Sequence, residues 1–90
     1  MKREKLDIIQ DILISIRDEN NLAKPTHILY KSNLSHQMLS NYLNMLIKSS
    51  IVEEKQNGKT GKIYRLTDKG YNFLNDFEQF RKLEKSYGVV

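Results

Sequence analysis

The sequence contains no cysteine and no tryptophan, and only one proline and four glycines in 90 residues. Without cysteine there is no disulfide scaffold, no thiolate zinc site and no cysteine nucleophile. No apolar run approaches the roughly 18 residues that a membrane-spanning helix needs, which excludes an integral membrane protein. Met1-Lys2-Arg3-Glu4-Lys5 is charged but leads into no signal-peptide core, so a cytoplasmic protein is expected. The two histidines, His27 and His36, have no helical metal-ligand spacing. No Gly-x-Ser-x-Gly motif frames a serine, and the carboxylates are scattered among lysines. Gly58-Lys59-Thr60 ends like a phosphate-binding loop, but position 53 is Glu rather than the required glycine and a strand follows. No enzyme, metal, cofactor or small-molecule substrate is therefore expected.

What is present suits one small domain. Hydrophobic residues make up 39% and charged residues 29%, enough apolar side chains for a core and too many for compositional disorder. The net charge of +4 is unevenly placed. Residues 1–34 carry six basic and five acidic side chains, residues 35–66 five and two, and residues 67–90 four of each. The excess lies in the middle third, as a patch that could meet a polyanion, or as lysines kept for solubility.

Periodicity and capping residues divide the chain into five parts. Leu6, Ile9, Leu13 and Ile16 recur at helical spacing, with Ile8 and Ile12 widening the stripe, and Asp18-Glu19-Asn20-Asn21 closes that helix. Pro25 suits the first turn of a short helix through Lys31, and Ser32-Asn33-Leu34 is a tight turn. Ser35 is a good N-cap for a third helix to about Ser49, whose stripe of Leu39, Tyr42, Leu43 and Leu46 faces inward. Ile51–Gln56 and Lys62–Thr67 read as two strands joined by the Asn57–Gly61 turn, with Tyr64 and Leu66 on one face and Ile63 and Arg65 on the other. Thr67 can cap a last helix to about Ser86, roughly 28 Å long. This is a mainly α fold with a small β-hairpin, in winged helix-turn-helix order.

Several stretches then look familiar. Lys5-Leu6-Asp7-Ile8-Ile9-Gln10, Thr26-His27-Ile28-Leu29-Tyr30, Asn33-Leu34-Ser35, Tyr42-Leu43 and Leu66-Thr67-Asp68-Lys69-Gly70 resemble small archaeal winged-helix DNA-binding proteins, nearest the Sulfolobus 10a chromatin-protein family. The resemblance spans about residues 4–86 and is most specific from Thr26 to Tyr42. It implies a long C-terminal helix forming an antiparallel coiled-coil dimer, a DNA-reading helix at Ser35–Lys48 and a wing at residues 55–62. Members of that family tend to carry basic residues in mid-helix, where this sequence has Asn41 and Asn44.

The residues themselves supply three candidate surfaces. His36, Gln37, Ser40, Asn41, Asn44 and Lys48 give the third helix a face of amides and hydroxyls, where Glu and Lys would be usual. Asn and Gln can bond bidentately to the adenine edge in the major groove, although a merely solvated polar face has the same composition. Lys55, Lys59, Lys62 and Arg65 would line a wing on the phosphate backbone; Glu53 and Glu54 count against that use. Phe73, Leu74, Phe77, Phe80, Leu83 and Tyr87 exceed what one small domain needs to cover a helix end, so a homodimer is expected through them. Ile14, apolar on the polar side of the first helix, is expected to join that contact. The resulting expectation is a DNA-binding domain at residues 1–67 and a dimerisation helix at 68–90, folding as one unit. Its function would be double-stranded DNA binding in the cytoplasm or nucleoid, as transcriptional regulator or chromatin protein. The alternative is the same fold used for protein–protein contact.

Overall fold

Glu4 begins the first helix, and its backbone N–H donates to Asp7 Oδ2 at 3.2 Å. In the computed structural model, which describes residues 4–58 and 61–88, helix α1 runs Lys5–Asp18. Helices α2 (Pro25–Ser32) and α3 (His36–Lys48), strands β1 (Val52–Asn57) and β2 (Gly61–Leu66) and helix α4 (Asp68–Ser86) follow. The order and the four helices are as the sequence predicts. The strands are offset by one residue, each starting or ending a position nearer the turn.

Ile8, Ile9, Ile12, Leu13 and Ile16 of α1 form the centre of the core, with Ile28 of α2, Leu39, Leu43 and Leu46 of α3, and Leu74 of α4. Leu6 is not part of it: the expected stripe extends one turn too far, and Leu6 is 50% exposed at the start of α1. Ile14 is partly buried and packs against this same core.

The connections show how short residues turn the chain. Asn20 and Asn21 take successive left-handed conformations (φ 54° and 61°) after α1, and Asn33 (φ 54°) ends α2 with its N–H on the Leu29 carbonyl. Ser35 then caps α3, its hydroxyl accepting from the Met38 N–H at 3.2 Å. Between α1 and α2, Ala23 forms an isolated antiparallel bridge with Tyr64 and so adds a one-residue third strand to the wing.

The hairpin pairs Val52 with Leu66 and Asn57 with Gly61. Ile63, on the opposite face of the strand from Tyr64 and Leu66, is buried as they are. Strand β2 runs against α1, α2 and α4 as well as β1, which covers both of its faces there. Thr67 caps α4 by accepting from the Gly70 N–H at 3.0 Å, while its own N–H reaches the Ile51 carbonyl. At Gly70 a Cβ would lie 2.2 Å from the Ile51 carbonyl oxygen, so only glycine lets α4 sit this close to the hairpin's base. No helix among the described residues is long and apolar enough to cross a membrane.

Candidate nucleic-acid interface

The outward face of α3 is built as its sequence suggests. His36, Gln37, Ser40, Asn41, Asn44 and Lys48 are all exposed, because the Leu39, Leu43 and Leu46 stripe consumes the opposite side. Gln37 Nε2 donates to Asn41 Oδ1 at 3.0 Å across one helical turn, which fixes both amides on the exposed face. His36, Ser40 and Asn44 also line a groove of about 260 Å³ whose other wall is the hairpin, with Glu54, Lys62 and Tyr64.

Strand alternation divides the basic residues of the wing. Glu54, Lys62 and Tyr64 share the side that faces α3, whereas Glu53, Lys55 and Arg65 lie on the reverse. The single wing surface expected from Lys55, Lys59, Lys62 and Arg65 is thus split. Arg65 sits at the hairpin's base beside Asn21, Thr67 and Tyr71 rather than beside α3. Lys59 lies outside the described residues.

Both described basic side chains of β2 are engaged by carboxylates on β1. Arg65 Nε donates to Glu53 Oε2 at 2.8 Å, and Lys62 Nζ lies 3.1 Å from Glu54 Oε1. The Arg65 hydrogen bond lowers the Glu53 pKa, and the Glu54 carboxylate raises that of Lys62. Tyr64 is raised chiefly by burial, keeping its phenol neutral at physiological pH.

Along α4 a second groove, about 670 Å³, has an apolar floor of Leu6, Phe73, Phe77 and Phe80. Phe73 and Phe77 stack at 6.5 Å between centroids, Arg81 lies 5.0 Å above the Phe77 ring, and Arg81 is ion-paired with Asp7 of α1. Phe80, Leu83 and Tyr87 are exposed, as a pairing surface requires. Leu74 is not available to a partner: it is 2% exposed, because its position on α4 points into the chain's own core. Leu6, Asp7 and Arg81 were not anticipated on this surface, since Asp7 and Arg81 are 74 positions apart and give no local signal.

Among the described residues no cluster of His, Cys, Asp or Glu could hold a metal ion. His27 serves the start of α2, its Nδ1 accepting from the Lys24 N–H at 3.4 Å, and His36 lies apart on α3.

Several solved structures share this arrangement. Sso10a-2, a DNA-binding protein from Sulfolobus solfataricus, superposes with a TM-score of 0.81 at 24% identity, covering 97% of this chain and 87% of that one. A protein from Archaeoglobus fulgidus gives 0.74 at 21% identity over 89% of each chain. A winged-helix DNA-binding protein from STIV gives 0.71 at 22% identity, over 90% of this chain and 92% of its own. At such identities the likeness is one of fold. No curated protein sequence matches the chain. A family model described as winged helix-turn-helix matches residues 2–85, from before α1 to the last turn of α4. By that match and by the α3–wing geometry, the chain belongs to the winged helix-turn-helix family.

Proposed function

We propose that this protein binds double-stranded DNA without catalysing a reaction, α3 entering the major groove and the wing following the backbone. The observation that carries this reading is the convergence on one groove of α3's exposed hydroxyl, imidazole and amide groups with Lys62 of the wing. Amides and hydroxyls suit base edges, and an ammonium at the groove's rim suits a phosphate. The descriptions of Sso10a-2 and the STIV protein as DNA-binding support it.

The protein works as a homodimer in this reading, with residues 1–67 meeting DNA and the helix in 68–90 meeting a second copy through Phe73, Phe77, Phe80, Leu83 and Tyr87. The role is that of a transcriptional regulator or a small chromatin protein in the nucleoid. Use of the fold for protein contact alone is the competing reading, favoured by the carboxylates that neutralise Lys62 and Arg65. Titration of mixed-sequence duplex at several salt concentrations separates the two. DNA binding predicts log affinity falling against log salt by about 0.9 per phosphate contact, with a few contacts per subunit. A flat response, or no binding at low salt, overturns the DNA reading.

A further inference from the structure

Glu54 occupies an unexpected place for a carboxylate. It is the one acidic residue lining the groove between α3 and the wing, among the described residues, and it faces His36, Ser40 and Asn44. Its carboxylate lies 3.1 Å from Lys62 Nζ, and both side chains keep contact with solvent, 34% and 57% exposed. An ammonium held at that distance by a carboxylate oxygen has the geometry it would have with a phosphate oxygen.

We propose that Glu54 is an intramolecular stand-in for a DNA phosphate: it holds Lys62 over the groove in the free protein and weakens DNA binding, because a phosphate must displace it. This rests on the DNA-binding reading. Exposed ion pairs are individually weak and screened by salt, so the dense charge of a duplex can take Lys62 away from Glu54. The neighbouring pair provides the contrast. Glu53 and Arg65 are joined in the same way at 2.8 Å, but on the reverse of the hairpin beside α4, where they brace the wing's base.

The test compares wild type with Glu54→Gln, Glu53→Gln, Lys62→Gln and the double variant Glu54→Gln/Lys62→Gln. Each is titrated against one mixed-sequence duplex by fluorescence anisotropy at several salt concentrations, after circular dichroism has matched their folds. Glu54→Gln is expected to bind about threefold to tenfold tighter at low salt, the scale of one unit charge a few ångströms from another in water. Its salt slope should steepen by up to about one unit as Lys62 is freed. Adding Lys62→Gln should remove that gain, and Glu53→Gln should stay within about twofold of wild type. Equal gains from Glu53→Gln and Glu54→Gln would reduce the effect to net charge and overturn the proposal. So would a gain that survives Lys62→Gln, an unchanged affinity, or weaker binding in Glu54→Gln, which would place the carboxylate on a base. A wild type that fails to bind duplex at low salt removes the DNA reading itself, whereas binding by wild type with no change in Glu54→Gln removes this inference alone.

Discussion

Gln37 and Asn41 face the same way one turn apart, and the hydrogen bond between them decides how Asn41 could meet a base. Asn41 Oδ1 accepts from Gln37 but keeps a second lone pair, and its NH2 group stays free to donate. Both functions needed for an adenine edge are therefore still available, in an orientation already narrowed before binding. Asn41→Ala and Asn44→Ala are expected to flatten preference among duplex sequences, by about 1–3 kcal/mol at the base pair each one reads, with the salt slope unchanged. Lys59→Ala, at the turn of the wing, should weaken all sequences alike and lower the slope by about one unit. Competition binding against a panel of duplexes distinguishes these behaviours; Asn variants that act like the Lys variant would show that α3 anchors without reading.

Elements are held to one another at a few close points. Thr67, between β2 and α4, ties the start of α4 to the turn between α3 and β1, with its N–H on the Ile51 carbonyl, its hydroxyl donating to the Ser50 carbonyl, and the same oxygen accepting from the Gly70 N–H. Asn21 closes the other side: Oδ1 accepts from the Leu66 N–H at 3.1 Å and Nδ2 donates to the Tyr71 hydroxyl at 2.6 Å. These contacts set the angle between the wing and α4, and thereby the wing's position against α3. Gly70→Ala places a methyl group against the Ile51 carbonyl, a backbone atom that cannot rotate away. Overpacking of this kind costs about 1–3 kcal/mol. It outweighs the gain of about 1 kcal/mol that alanine brings to a helix interior. Urea unfolding should show a lower midpoint for the variant with an unchanged slope.

Across the whole molecule the long axis measures 50 Å against 28 and 22 Å, and α4 leaves its outer aromatic residues without cover. In the proposed dimer a second α4 lies over Phe77 and Phe80, with Leu83 and Tyr87 nearer the edge. A two-fold axis would set the two copies of α3 at successive major grooves, roughly 34 Å apart. Residues 67–90 carry four basic and four acidic side chains, so paired helices do not repel strongly. Phe77→Asp with Phe80→Asp places uncompensated charge at that seam. Light scattering should find wild type at twice the chain mass and the double variant at the chain mass, with DNA binding much weakened by loss of the second site. A monomeric wild type at tens of micromolar rules this interface out.

Helix order, the capped start of α3, its polar outer face and the hairpin were legible in the sequence because each depends on near neighbours: a 3.6-residue stripe, a serine before it, a turn of Asn and Gly. The ion pairs of the hairpin were nearly legible too, since a turn over Asn57–Gly61 puts Glu53 opposite Arg65. Alternation alone then separates Arg65 from the face that α3 shares with Lys62. Tertiary structure alone decided the rest. Leu6 leaves the core and Leu74 enters it because α1 and α4 cross where they do, and Ile63 is buried because β2 has neighbours on both sides. The Ala23–Tyr64 bridge spans 41 positions, and Arg81 reaches Asp7 across 74. Contacts of that range are set by how whole elements pack, and no local pattern of residues encodes them.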